Sequence, residues 1–198
     1  MVSKGERTRA EIVEQAAIYF NQHGFAGTSI SDIMRETGLE KGGIYNHFKN
    51  KDELALEAFD YAFGEASRLM LSYIKGSPGY FERLLNTVRF FQDYYANPPV
   101  PGGCMVLNTA IDSDDSHPAL RERARAALAD WRTLIAWIIN KGIEKGEIAE
   151  GADAEGVANL IIGGVEGGIM MSQLYKDTVY INQMVSYLCD YLEQKLQP

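Results

Sequence analysis

The 198-residue sequence predicts an all-α fold of about nine helices, with a small three-helix head leading into a larger helical body. Boxes of the type Ser/Thr/Asn-x-x-Glu/Asp recur just before runs in which apolar residues continue at helical spacing. No alternating, strand-like pattern separates those runs. Composition agrees, because 46% apolar residues in a chain of this length suffice to bury a core.

Thr8-x-x-Glu11 announces the first helix, which carries Ile12, Ala16, Tyr19 and Phe20 at helical spacing until Gly24 stops it. Ser29-x-x-Asp32 opens a second, short helix with Ile30, Ile33 and Met34 inward, closed at Gly38. The spacing predicts a third short helix over 41–48, with Ile44 and Phe48 four apart beneath Leu39. Asn50-x-x-Glu53 begins a long helix with Leu54 and Ala58 on one face, running to about Lys75. Further helices are expected over about 78–95, from Cys104, over about 117–145 with Pro118 in the first turn, and over about 153–175 and 177–195. The prolines and glycines of 97–103 mark a loop. Two domains are expected, 1–50 as the head and 51–198 as the body.

Charge is unevenly spread. The formal net charge is -8, yet residues 1–50 hold six Lys/Arg and six acids, so 51–198 carry the whole excess. An acidic total therefore does not exclude a locally basic surface on the head. No export signal begins the chain and no uninterrupted apolar run reaches about 18 residues, which predicts a cytoplasmic protein with no membrane partner. Cys104 and Cys189 are then expected to be reduced thiols. His23, His47 and His117 stand at no ligand spacing, so neither a metal nor another cofactor is expected.

Residues 24–54 form the most informative stretch. A helix, a turn and a second helix opened by small residues make a helix-turn-helix, whose second helix can lie in the major groove of DNA. Gly42 and Gly43 each cost roughly 1 kcal/mol of helix propensity, a cost that makes sense if the backbone must approach base edges. Tyr45 and His47 fall on the exposed side and can donate to phosphates. Lys41, Lys49 and Lys51 add positive charge around them, and Thr28 and Ser29 place hydroxyls at a helix N-terminus suited to phosphate. Lys4, Arg7 and Arg9 form a basic arm. Taken singly, each lysine is as easily read as a solvated surface charge, and Ser29 as a plain cap. Their convergence on one turn favours DNA.

Over about residues 8–62 this segment resembles the DNA-binding head of the tetracycline-repressor family of bacterial transcription regulators. Gly24, Thr28, Ile33, Gly38, Leu39, Gly42, Tyr45, Phe48, Lys51 and Leu54 match at the family's spacings. The resemblance implies a homodimer on a palindromic double-stranded operator, a minor-groove role for the N-terminal arm, and a small-molecule effector site among the middle helices of the body. Effector candidates are Phe90, Tyr94, Cys104, Asn108, Trp131, Trp137, Glu166 and Met170, although aromatics and methionines at these spacings also suit plain core. Cys104, after Pro101-Gly102-Gly103 and at a helix start, reads either as a thiol sensing electrophiles or oxidants or as an inert packed cysteine.

The pairs Gly163/Gly167 and Gly164/Gly168 are costly in one helix unless another helix packs closely there. With Leu188 and Leu192 they suggest a dimer seam, the alternative being closure of the chain's own core. An enzyme finds little support, since no nucleophile-base constellation, metal motif or phosphate loop can be assembled. A helical ligand-binding or scaffolding protein that does not regulate through DNA is the other rival.

Overall fold

The structure is a computed structural model that describes residues 3–198. Nine helices and no strand occur among the described residues: α1 (Lys4–Gly27), α2 (Ile30–Thr37), α3 (Lys41–Tyr45), α4 (Lys51–Ile74), α5 (Tyr80–Ala96), α6 (Met105–Ser113), α7 (Pro118–Glu144), α8 (Ala154–Tyr175) and α9 (Val179–Leu196). The expected order is thus observed, with differences at helix ends that have local causes.

α1 begins a turn earlier than Thr8. Ser3 Oγ accepts the Glu6 N–H and the Glu6 carboxylate accepts the Ser3 N–H, so this nearer capping box starts the helix and leaves Thr8-x-x-Glu11 in its interior. Lys4 and Arg7 of the basic arm are consequently helical, lying in the first turn of α1 rather than ahead of the first helix. At Gly24 the backbone turns to φ 74, ψ 171, breaking α1 where the sequence places its stop. Ser29 and Asp32 cap α2 reciprocally, and Gly38 closes it in the left-handed region. α3 keeps only five residues before turning at Asn46 and His47. Asn50 Oδ1 accepts the Glu53 N–H at the start of α4, while Glu53 itself accepts the Lys49 N–H.

Two compact units form, neither continuous in the chain. One combines the residues up to Glu65 with Pro99–Ala127, and the other combines Ala66–Pro98 with Leu128–Pro198. The first therefore includes α6 and the start of α7, beyond the 1–50 head of the sequence division. Its core holds Ile12, Ala16, Ile33, Ile44, Phe48, Leu54 and Ala58, all buried.

α6 belongs to this unit because polar groups tie it to α1. Asn21 is buried, and its Nδ2 donates to the carbonyls of Pro101 at 3.0 Å and Gly103 at 3.2 Å. Asn108 Nδ2 reaches Asn21 Oδ1, Asn21 O and Gly102 O at 2.9, 3.1 and 2.9 Å. A Cβ at Gly102, whose φ is +123, would lie 2.9 Å from the Asn21 carbonyl, so the loop needs glycine there to approach α1. Asp112 accepts the Phe25 N–H at 2.7 Å beside the Gly24 break.

The second unit is apolar inside. Phe91 meets Phe90 and Trp131 edge-on at 5.3 and 5.8 Å between ring centroids, and Tyr94 lies 5.5 Å from Phe90. α8 and α9 pack closely through the glycines. A Cβ at Gly168 would come within 3.0 Å of Ile181 Cδ1 and 3.2 Å of its Cα, and one at Gly164 within 3.1 Å of Leu188.

Candidate nucleic-acid interface

Ile44 and Phe48 are buried and anchor α3 to the head, and this anchoring decides which side of the helix remains open. Exposed on that open side are Lys41, Gly42, Tyr45 and Asn46, with Lys49 following. Lys41 Nζ lies 5.8 Å from the Tyr45 ring centroid, so the two side chains share one patch. Lys4 and Arg7 are exposed on the first turn of α1.

The two glycines of α3 have different surroundings. Nothing lies within 4 Å of a Cβ built on Gly42, whereas one on Gly43 would touch Leu39 at 3.4 Å. Gly42 alone keeps the outer surface of the helix low. Gly43 sits against the Leu39 side chain at ordinary contact distance, on the inner side of the helix.

Other expected DNA contacts are engaged within the chain. Thr28 is 1% exposed and its hydroxyl donates to the Tyr19 carbonyl, so it cannot greet a phosphate. Ser29 is exposed but occupied as the α2 cap, with Asp32 drawn onto it. The Ser29 hydroxyl, and after it the Ser29 N–H, hold the Asp32 carboxyl below the usual carboxylate range. Lys51 folds over Phe25 with Nζ 4.0 Å from the ring centroid, and burial pushes its ammonium pKa down. Its first role is thus to pack the α4 start against the α1 break. His47 is half-buried, its ring 6.4 Å from that of Phe48.

Phe90, Tyr94 and Trp131 share the aromatic core of the second unit, as expected of an apolar site or of plain core. Trp137 and Met170 are 44% and 51% exposed, so neither lines an enclosed chamber within this chain. Glu166 is buried in α8. Asn108 and Cys104 fall in the first unit. The Asn108 Nδ2 donates to α1 and to the 102 carbonyl, which gives this side chain a structural role in the first unit. Cys104 is 1% exposed at the start of α6, an enclosure that favours the packed thiol over the sensor. The cavity beside Asn21, Phe25, Asn108 and Asp112 measures about 30 Å³, room for no more than a few waters.

Leu188 and Leu192, expected at a dimer seam, are 4% and 0% exposed within the single chain, and Gly164 and Gly168 receive α9 of that same chain. These four therefore close the chain's own core. Gly163 and Gly167 differ, with nothing within 4 Å of either.

Residues 12–58 match the family model of bacterial regulatory proteins of the tetR family, and residues 81–188 match the tetracyclin repressor-like C-terminal domain. The chain belongs to the tetracycline-repressor family. A TetR transcriptional regulator from Chloroflexus aurantiacus superposes with a TM-score of 0.95 at 42% identity, over 98% of both chains. A second family structure, from Cytophaga hutchinsonii, gives 0.90 at 35% identity over 99% of this chain and 98% of that one. The uncharacterized helix-turn-helix transcriptional regulator YxaF of Bacillus subtilis is 30% identical over 182 residues, 89% of this chain and 90% of that protein. The chain is accordingly a helix-turn-helix transcriptional regulator, α2 and α3 forming the two helices of that motif. Family members bind DNA operators and small-molecule effectors, typically as dimers.

Proposed function

We propose that this cytoplasmic regulator binds a palindromic operator as a homodimer, represses from it, and leaves it when a small molecule occupies the body. The observation that carries the DNA side is the open face of α3, where Lys41, Gly42, Tyr45 and Asn46 stand over buried Ile44 and Phe48. Tyr45, Lys41, Lys49, Lys4 and Arg7 supply donors and positive charge for phosphates, with His47 at the margin. A five-residue helix spans few base pairs, so two heads are needed for adequate specificity.

The dimer reading rests on α8. Leu160, Gly163, Gly167, Met170, Met171 and Leu174 are spaced so that they fall on one stripe of that helix, about 100° wide. The four apolar side chains among them are 38–73% exposed, and the two glycines leave room for a second backbone to approach. α8 is long and apolar enough to cross a bilayer by length and composition, but packing on α9 on one side and a second copy on the other accounts for that character. For the effector, Phe90, Tyr94 and Trp131 favour an apolar, aromatic-compatible ligand.

Selection of bound duplexes from a random pool tests the reading. The expected result is an inverted repeat whose binding weakens steeply with salt and which co-sediments with two copies of the chain. A protein that stays monomeric at micromolar concentration, or retains no preferred duplex, would overturn it.

A further inference from the structure

We infer that Asn46 is a base-reading residue, specifying an adenine in each half of the operator. This rests on α3 being the element that enters the groove. At about 100° per residue, Lys41, Tyr45, Gly42 and Asn46 follow one another around the outer side of α3, whereas Gly43, Ile44 and His47 point toward the head. Gly42 lies between the Lys41–Tyr45 pair and Asn46, and nothing lies within 4 Å of where its Cβ would be. The missing side chain lets the backbone sink toward the base edges, and it is this approach that brings a short side chain within reach.

The other candidates on that face are suited to other tasks. Lys41 has donors only, and its ammonium stands beside the Tyr45 ring. Tyr45 presents one hydroxyl. Asn46 offers a donor and an acceptor side by side, the pair that matches adenine N6 and N7 in the major groove. Its backbone N–H is spent on Gly42 O at 3.0 Å, which fixes the residue at the end of the helix, while its side-chain amide makes no hydrogen bond among the described residues. An exposed amide without a structural duty, next to a deliberately low stretch of backbone, is free for recognition.

The test compares the full chain with Asn46→Ala and Asn46→Gln by selection from a random duplex pool, followed by titration of the wild-type consensus. Wild type should select adenine at one position per half-site. Asn46→Ala should lose that preference alone and bind the consensus roughly 5- to 150-fold more weakly, at an unchanged salt slope. Replacing that adenine with 7-deazaadenine should weaken wild type and leave Asn46→Ala unaffected, and Asn46→Gln should restore part of the preference. An unchanged consensus in Asn46→Ala would overturn the assignment, as would uniform weakening with a shallower salt slope, the mark of a phosphate contact. A wild-type protein that selects no sequence would remove the DNA reading itself, and this inference with it.

Discussion

Both compact units bury apolar cores, but they differ in what is added to them. In the first, side-chain amides and a carboxylate tie the 101–112 segment to α1: buried Asn21 to Asn108 and the loop carbonyls, and Asp112 to the Phe25 N–H. In the second, Phe90, Phe91, Tyr94 and Trp131 fill the interior with rings, and two glycines let α9 close on α8. Ring packing is additive and tolerant of direction, whereas each amide must meet its own partner or lose the hydrogen bond it had in water. The polar ties of the first unit therefore fix one placement of the 101–112 segment on α1, beside an apolar core of its own, whereas the second unit relies on ring packing.

Substitutions should separate the two. Phe91→Ala, at a 1% exposed ring, should cost about 3–5 kcal/mol in chemical denaturation, the largest loss of the set. Asn108→Ala leaves Asn21 Oδ1 and the Gly102 carbonyl without their donor and should cost about 1–3 kcal/mol. Equal losses for the two would erase the distinction drawn above. Within α8, Gly168→Ala meets the Ile181 backbone and should lose about 1–3 kcal/mol of stability. Gly163→Ala opposes nothing in the single chain, and its effect should appear in sedimentation as weaker self-association.

Smaller still are the capping effects in the head. Ser29→Ala should cost about 1 kcal/mol, read from thermal unfolding. Asp32 has a carboxyl pKa held low by the Ser29 hydroxyl. Its contribution is therefore complete above the ordinary Asp value of about 3.9 and fades as pH falls through the lower folded value. Wild type and Asp32→Asn should accordingly differ at neutral pH and converge in acid, and a gap that widens on acidification would contradict the cap.

Much of the helix order was legible because its signals are local. Ser29 with Asp32, Gly38, Asn50 with Glu53, and Pro118 act within a turn of themselves, so reading four or five residues suffices. Competition between two local signals was harder. Ser3-x-x-Glu6 and Thr8-x-x-Glu11 both fit a helix start, and the earlier one governs because nothing interrupts the helix after it. The exposed placement of Lys41, Gly42 and Tyr45 was recognisable from spacing around Ile44 and Phe48. The burial of Thr28 was not, because its hydroxyl turns to Tyr19 O nine residues back. The contact of Lys51 with the Phe25 ring was hidden for the same reason.

By itself the sequence determined that the chain is helical, where most helices begin and end, and that a short glycine-bearing helix displays Lys41 and Tyr45. Those properties follow from dihedral preference and periodicity, which act over a few residues. Only the tertiary structure decided that Asn21 and Asn108, 87 positions apart, form a pair. It alone decided, too, that Gly164 and Gly168 face the chain's own α9 while Gly163 and Gly167 face outward. A hydrogen bond across distant segments and a choice between two faces of one helix depend on where the rest of the chain lies, and no local pattern encodes that.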